Sequence, residues 1–371
     1  MLTGNILTPA GWRLGRIDTE AGRIVAIDLA QSGPVDPSRN DAQYILPGFI
    51  DLHVHGGGGA DTMEGGAAAI TMARLHARFG TTSLLATTMT APRHQLRAVL
   101  VELGQIANDR PQGAARMLGV HLEGPYISPS KLGAQPPEAV VAVLDEVLDY
   151  LSVAPIKVVT LAPEISGHPR IIAELAARGI RVQIGHTLGS YDEGVNALKH
   201  GAAGFTHLFN AMSGLHHREP GMVGAALAHA DYAELIPDLL HVHPGAIRAA
   251  MRAIPKLYCV TDSTAAAGMP DGEYRLGSQG VVKCLGAVRL SDGTLAGSTL
   301  TMDKALRNLV SLGLPLADVS NRLSRNAADY LGITDRGRIE VGAWADLVVL
   351  DRALALQATY VEGEEIVVEY A

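Results

Sequence analysis

A (β/α)8 barrel of the TIM type, flanked by a small β-sandwich domain built from both chain ends, is the fold this sequence predicts, and three observations predict it. Through the middle of the chain, short β-rich runs ending in polar residues alternate with longer Ala-rich helical stretches, the pattern of parallel strands joined by helices. Eight such units fit within about 260 residues, the ordinary size of that barrel. Both ends lack this alternation and read as short strands instead.

Taken in order, residues 1–46 hold strand-like runs such as 23–27, with Asp18, Glu20 and Asp28 expected in solvent. Barrel strands are predicted at 45–55, 82–88, 117–123, 157–163, 181–186, 204–210, 234–241 and 257–262. Helical patterns fill the gaps between them, for example at 66–79, 93–108, 138–150, 169–178 and 245–253. Segment 272–295 reads as a β-hairpin inserted after strand eight, with Ser291-Asp292-Gly293 as its turn. Helices at 302–312 and 316–330 close the barrel, and strand-like runs at 345–350 and 365–370 return to the end domain. The expected division is 1–46 with 338–371 for the β domain and 47–337 for the barrel.

Composition narrows the function. The 371 residues carry a formal charge of -8 with no block of Lys and Arg, which argues against nucleic acid as a partner. A small phosphorylated molecule remains open, since one or two arginines suffice to hold a phosphate. Hydrophobic residues make up 47% and aromatics only 4%, so Ala, Val, Leu and Ile must fill the core. Two cysteines, Cys259 and Cys284, sit in apolar stretches and point to a reducing cytoplasm without a disulfide framework. Residues 1–10 lack the pattern of a secretion leader, and no apolar run reaches the roughly 18 residues of a membrane span.

Barrel enzymes place their chemistry at the C-terminal ends of strands. Five of the eight predicted strand ends carry metal-capable side chains. Strand one ends in His53-Val54-His55, whose period of two puts both imidazoles on one side. The glycines at 56–59 then permit close approach of the backbone to a ligand. Strand three ends in His121-Leu122-Glu123; Glu123 follows apolar residues and needs a cationic partner or a metal when buried. His121 reads as a supporting or structural residue. Strand five ends in Gly185-His186-Thr187, strand six holds Thr206-His207, and strand eight ends in Val260-Thr261-Asp262. Each alone has a plain alternative: a surface histidine pair, an ion pair, a satisfied core histidine, a helix cap. The joint pattern points to a divalent metal site, with Asp262 able to exchange a proton with water. Such donors suit zinc first, then iron, manganese or cobalt.

With these motifs in place, the chain resembles N-acetylglucosamine-6-phosphate deacetylases of the amidohydrolase superfamily over nearly its whole length. The stretches that carry the resemblance are Pro47-Gly48-Phe49-Ile50-Asp51-Leu52-His53-Val54-His55-Gly56, His121-Leu122-Glu123-Gly124-Pro125, Gly185-His186-Thr187, Thr206-His207-Leu208-Phe209-Asn210-Ala211-Met212, His217-Arg218-Glu219-Pro220-Gly221 and Val260-Thr261-Asp262. The resemblance implies that Glu123, His186 and His207 hold a principal metal. It implies that His53 and His55, with Glu123 bridging and Asp262 nearby, form a second site, giving one or two ions per subunit. It places Ala134, Asn210, the Ala211 backbone and His241 against the sugar and phosphate. It assigns Arg218 to the phosphate across the interface of a homodimer.

Two departures mark this sequence. After Lys131-Leu132-Gly133-Ala134 the family usually has a histidine near the substrate, and this chain has Gln135. Before His241 the family usually reads Ala-Asp-Gly, and this chain reads Pro237-Asp238-Leu239. The implied mechanism uses metal-activated water, Asp262 as base and then acid, and polarisation of the acetyl carbonyl by metal with His241 or Gln135. Rival readings are a deacetylase for N-acetylgalactosamine 6-phosphate or an unphosphorylated sugar, a cyclic-amide hydrolase, and a non-catalytic metal-binding relative. The cyclic-amide enzymes usually carry a bridging lysine where Glu123 stands, and loss of catalysis normally shows as a missing ligand, which this chain does not have. Outside the site, His76, His94, His168, His200 and His229 are expected in solvent, His216 and His217 beside the phosphate loop, His243 against a neighbouring helix, and Cys259 in packing.

Overall fold

The computed structural model describes residues 1–31 and 33–367. Six strands lie side by side in parallel, in the order Phe49–Val54, Thr81–Thr87, Arg116–Glu123, Ile156–Leu161, Arg181–Ile184 and Gly204–Phe205. Glu234–Leu235 and Tyr258–Cys259 form a parallel pair. Backbone hydrogen bonds and a bridge between Val54 and Ser263 close the ring. Leu208 N donates to the Glu234 carbonyl at 2.8 Å, and Asp262 N to the His53 carbonyl at 2.9 Å. All eight expected strands are present. Strands such as Phe49–Val54 and Thr81–Thr87 are buried at every position, as expected for a parallel sheet covered by helices.

Strands six to eight are shorter than the apolar pattern predicts. The chain leaves the extended region as it reaches the site: His207, Phe209, Ala211, Leu239 and Asp262 all have positive φ, which ends the ladder. Helices Gly66–Ala77, Arg93–Asn108, His168–Ala176 and Pro244–Ala253 fall where periodicity puts them. The helix expected at 138–150 starts only at Leu144, after a stretch with Pro136, Pro137 and three valines that disfavour helix. Two helices fill gaps for which the sequence reading gave no bounds. Tyr191–Lys199 starts with a capping box between Ser190 and Glu193, a signal present in the sequence. Gly221–His229 is buried nearly all round and so lacks a polar stripe. The segment 316–330 breaks at Ser324 into Leu316–Leu323 and Arg325–Leu331.

The chain ends meet in one seven-stranded sheet, in the order Glu364–Ile366, Leu356–Val361, Leu347–Leu350, Tyr44–Pro47, Leu2–Thr8, Gly11–Glu20 and Arg23–Leu29. The sheet folds back on itself, since Ile24 N bonds the Ala343 carbonyl and Ala345 N the Gly22 carbonyl. Ile6, Ile17, Ile24, Ile45, Ile339 and Leu347 fill the space between. Leu7, Leu46, Val348 and Leu350 face the other way, into the barrel core. Of the strand expected at 365–370, residues 368–370 lie outside the described residues. The insertion after strand eight has three strands rather than two: Gly272–Leu276, Gln279–Cys284 and Ala287–Arg289. Its expected turn is present, with Gly293 at φ +90° and Asp292 Oδ1 accepting from Thr294 N. No helix among the described residues is long and apolar enough to cross a membrane.

Two histidines expected in solvent are fully buried. His76 sits 3.0 Å from both the Gly56 carbonyl and Ser263 Oγ, and burial pushes its pKa down to about 4. His168 bonds the Ala162 carbonyl and accepts from Ala142 N. Both lie on helix faces turned to the barrel, which a search for apolar residues passes over. His243 caps its own helix by accepting from Gly245 N, instead of facing a neighbour. Cys259 is buried in the core, as expected.

Candidate metal centre and substrate pocket

The five strand ends bring Glu123, His186, His207, His53, His55 and Asp262 to one place. His186 Nε2 and His207 Nε2 lie 3.1 Å apart, and Glu123 Oε1 is 3.2 and 3.0 Å from them. On the other side, His53 Nε2 and His55 Nε2 are also 3.1 Å apart. Glu123 Oε2 is 3.5 and 3.2 Å from this second pair, and Asp262 Oδ1 is 3.4 and 3.3 Å from it. The two oxygens of Glu123 therefore face two different donor sets.

The chemistry of the donors fits divalent ions. His186 Nδ1 donates to the Lys131 carbonyl, His55 Nδ1 to the Thr87 carbonyl and His53 Nδ1 to Glu234 Oε2. Each bond fixes the tautomer that leaves Nε2 with a lone pair, and those lone pairs meet carboxylate oxygens. Lone pairs facing one another are repulsive unless a proton or a cation lies between them. Donor separations of 3.0–3.5 Å match the edges of a tetrahedral set with ordinary zinc bond lengths, roughly 3.3 Å. Left to protons alone, the cluster holds them tightly. Burial works against charge on His55, yet Asp262 and Glu123 push it up to about 9. Burial likewise opposes ionisation of Asp262, but His53 and His55 hold it down at about 2.

Local backbone strain accompanies the site. His186, His207 and Asp262 have φ of +46°, +28° and +51°, uncommon for residues with a Cβ. In the sequence nothing marks this, because strand-end histidines look the same with either sign of φ. Two further buried carboxylates were also missed. Asp51 accepts from Thr261 N and Oγ1 and from His53 N, tying strand eight to strand one; burial pushes its pKa up to about 7. Glu234 accepts from His53 Nδ1 and His207 N. An acidic residue inside an apolar run was the available signal for both. His121 bonds the Leu52 carbonyl and Thr160 Oγ1, a supporting position as expected.

A pocket opens over the donors, with Glu123, His186, His207, His55 and Asp262 in its floor. Ala134, Gln135, Asn210, Ala211 and His241 line its sides, while Leu276, Thr294 and Leu295 from the insertion form another wall. His53 lies deeper. Gln135 donates from Nε2 to Glu123 Oε2 at 2.8 Å and accepts the Thr90 amide at Oε1. One N–H of its amide is left for a ligand. His241 Nδ1 lies 2.6 Å from Asp238 Oδ2; burial lowers its pKa, and the Asp238 carboxylate more than offsets this. Asp238 Oδ1 also accepts from the main chain at Leu240 and His241. Arg218 does not line the pocket of its own chain; it lies in an exposed loop beside His216 and His217.

Known proteins resemble this chain over nearly its whole length. The model of the amidohydrolase family matches residues 44–367. The chain is 38% identical to an N-acetylgalactosamine-6-phosphate deacetylase of Escherichia coli O157:H7, over 97% of each chain. It is 39% identical to an N-acetylglucosamine-6-phosphate deacetylase of Bacillus subtilis, over 94% of this chain and 92% of the relative. Among solved structures, the N-acetylglucosamine-6-phosphate deacetylase of Thermotoga maritima superposes with a TM-score of 0.90 at 34% identity, covering 99% of both chains. An aspartate-to-alanine variant of the Mycobacterium smegmatis enzyme, in complex with N-acetyl-D-glucosamine 6-phosphate, superposes at 0.89 with 32% identity over 98% and 97%.

Proposed function

The chain belongs to the amidohydrolase family, and on that premise we propose that it hydrolyses N-acetyl-D-glucosamine 6-phosphate to D-glucosamine 6-phosphate and acetate. The observation that carries this reading is the pocket floor, where two histidine pairs share Glu123 and stand beside Asp262. Glu123, His186 and His207 hold the principal divalent ion; His53, His55, Glu123 and Asp262 offer a second place. Zinc is the first assignment, and iron, manganese or cobalt suit the same donors. Such an ion supplies Lewis-acid polarisation of the acetyl carbonyl and acidifies water at neutral pH.

The side chains do the rest. Asp262 takes a proton from the attacking water and returns it to the amide nitrogen, so that the amine leaves neutral and acetic acid forms, which releases its remaining acidic proton to solvent as acetate. His241, turned by Asp238, donates to the acetyl oxygen as negative charge builds on it. Gln135 keeps Glu123 oriented and has one N–H for the substrate. Ala134, Asn210 and the Ala211 backbone contact the sugar. Arg218 from a second copy reaches the phosphate, so the working unit is a homodimer in the cytoplasm. The division into a barrel of 47–337 and a β domain of 1–46 with 338–371 belongs to the same proposal.

One specific observation favours a second reading. The Escherichia coli O157:H7 relative, matched over 97% of each chain, acts by its name on the galactosamine epimer. Acetate release from N-acetylglucosamine 6-phosphate, N-acetylgalactosamine 6-phosphate and N-acetylglucosamine separates the cases. The first substrate is expected to be fastest. In the same panel, Arg218→Ala should raise KM for the phosphorylated sugars roughly 10–100-fold, the worth of a charge-assisted hydrogen bond, and leave the unphosphorylated one unchanged. A faster second substrate transfers the assignment to the epimer, and no acetate from any of them overturns both.

A further inference from the structure

Glu234 lies fully buried on the seventh barrel strand, beneath both donor sets. Its Oε2 accepts from His53 Nδ1 at 2.9 Å and from the His207 main-chain N at 3.2 Å. Its Oε1 accepts from Tyr258 OH at 3.3 Å. Gln183 Nε2 donates to that hydroxyl oxygen at 2.6 Å, which leaves the hydroxyl hydrogen free for the carboxylate. Among the described residues no lysine or arginine pairs with Glu234; its ion-pair partners are His53 and His121. His121 is held elsewhere, by the Leu52 carbonyl and Thr160 Oγ1. A buried carboxylate without a cation is strongly disfavoured. Its balancing charge must therefore come through His53, from whatever His53 Nε2 holds.

Resting on the metal-dependent reading above, we infer that Glu234 is a positioning residue that serves both donor sets at once. It fixes His53 with Nδ1 protonated and the Nε2 lone pair turned toward His55 and Glu123. It also pins the strand-six backbone where His207 takes its positive φ. Two divalent ions bring four positive charges against the two of Glu123 and Asp262, and Glu234 contributes a third negative charge without occupying a coordination position. The His53 link is direct, through the ring, whereas the His207 link is only through the main chain. Removing Glu234 should therefore weaken the set of His53, His55 and Asp262 far more than the set of His186 and His207.

The test is cobalt(II) titration of the full-length, metal-stripped protein, followed by visible absorption and by ions bound per chain, with Tm measured alongside. Wild type is expected to take up two ions. Glu234→Gln should bind the first within a few-fold of wild type and the second about 10–100-fold more weakly, the usual cost of losing the acceptor behind a metal-bound histidine. Tyr258→Phe keeps the ring and removes only the hydroxyl; it should weaken the second ion by about two- to five-fold, and it decides the matter if Glu234→Gln does not fold. Unchanged affinity for both ions overturns the inference, as does an equal loss at both sets with a lowered Tm; either leaves the metal reading standing. Uptake of a single ion by wild type also overturns the two-set role. A wild type that takes up none overturns the metal reading, and this inference with it.

Discussion

Asp262 combines a carboxylate held at about 2, a left-handed backbone and contact with both His53 and His55. Such a group is ionised at neutral pH, as the proton acceptor of the proposed mechanism has to be. Asp262→Asn keeps the shape and an oxygen but cannot take the proton. It is expected to retain the ion proposed at Glu123, His186 and His207 while kcat falls by about 10²–10⁴-fold. Metal analysis together with acetate release checks this, and near-normal turnover would remove Asp262 from the proton transfer. His241 differs in kind: its Nδ1 is committed to Asp238, which leaves Nε2 for the contact proposed with substrate. Arg218 lies in an exposed loop outside the pocket lining, and the partner proposed for it is the phosphate bound by a second copy.

At the scale of elements, the loops after strands five to eight build the site by abandoning extended geometry. Leu239, in the turn that presents His241, sits at φ +67° where the family usually has glycine. A side chain there costs roughly 1–2 kcal/mol, partly offset by the greater freedom glycine has when unfolded. Leu239→Gly is therefore expected to hold or raise stability by up to about 1 kcal/mol, measured by urea denaturation. A loss beyond that would mean that the Leu239 side chain earns its place by packing against the barrel core. The insertion Gly272–Leu276 to Ala287–Arg289 is a second example. It carries Leu276 to the pocket wall, and Val281 and Val288 anchor it on Met89 and Ala266.

Across the whole molecule, the terminal sheet is tied to the barrel through Glu362. Arg116 Nε and Nη2 both donate to it at 2.8 Å, and Arg110 donates at 3.2 Å. Arg336 adds a further contact and pairs with Asp346 as well. Burial would raise the Glu362 pKa, but Arg116 and Arg336 hold it down at about 2. The unfolded carboxyl titrates near 4.3. Its contribution is thus complete above about pH 5 and disappears as the pH falls through 2. Glu362→Gln should cost about 2 kcal/mol at pH 7, within the range for a partly buried ion pair, and progressively less in acid. Urea denaturation of both proteins at pH 7, 4 and 2.5 tests this; a difference independent of pH would show that the charge is not what Glu362 contributes.

The order of strands and helices, the end sheet and the side chains that meet at the strand ends were legible in the sequence because each follows a local rule: period two, period 3.6, and a polar residue closing an apolar run. His53 with His55, Glu123, His186, His207 and Asp262 could be read together since a parallel barrel brings all its strand ends to one rim. Local rules do not carry what depends on neighbours from distant segments. Only the tertiary structure brought Glu234 and Asp51 into hydrogen bonds with His53, buried His76 and His168, turned Gln135 onto Glu123, and left Arg218 outside the pocket lining. For all but Arg218 the deciding quantity was which group of another segment lay about 3 Å away, and that distance is set by packing and not by the residue type alone.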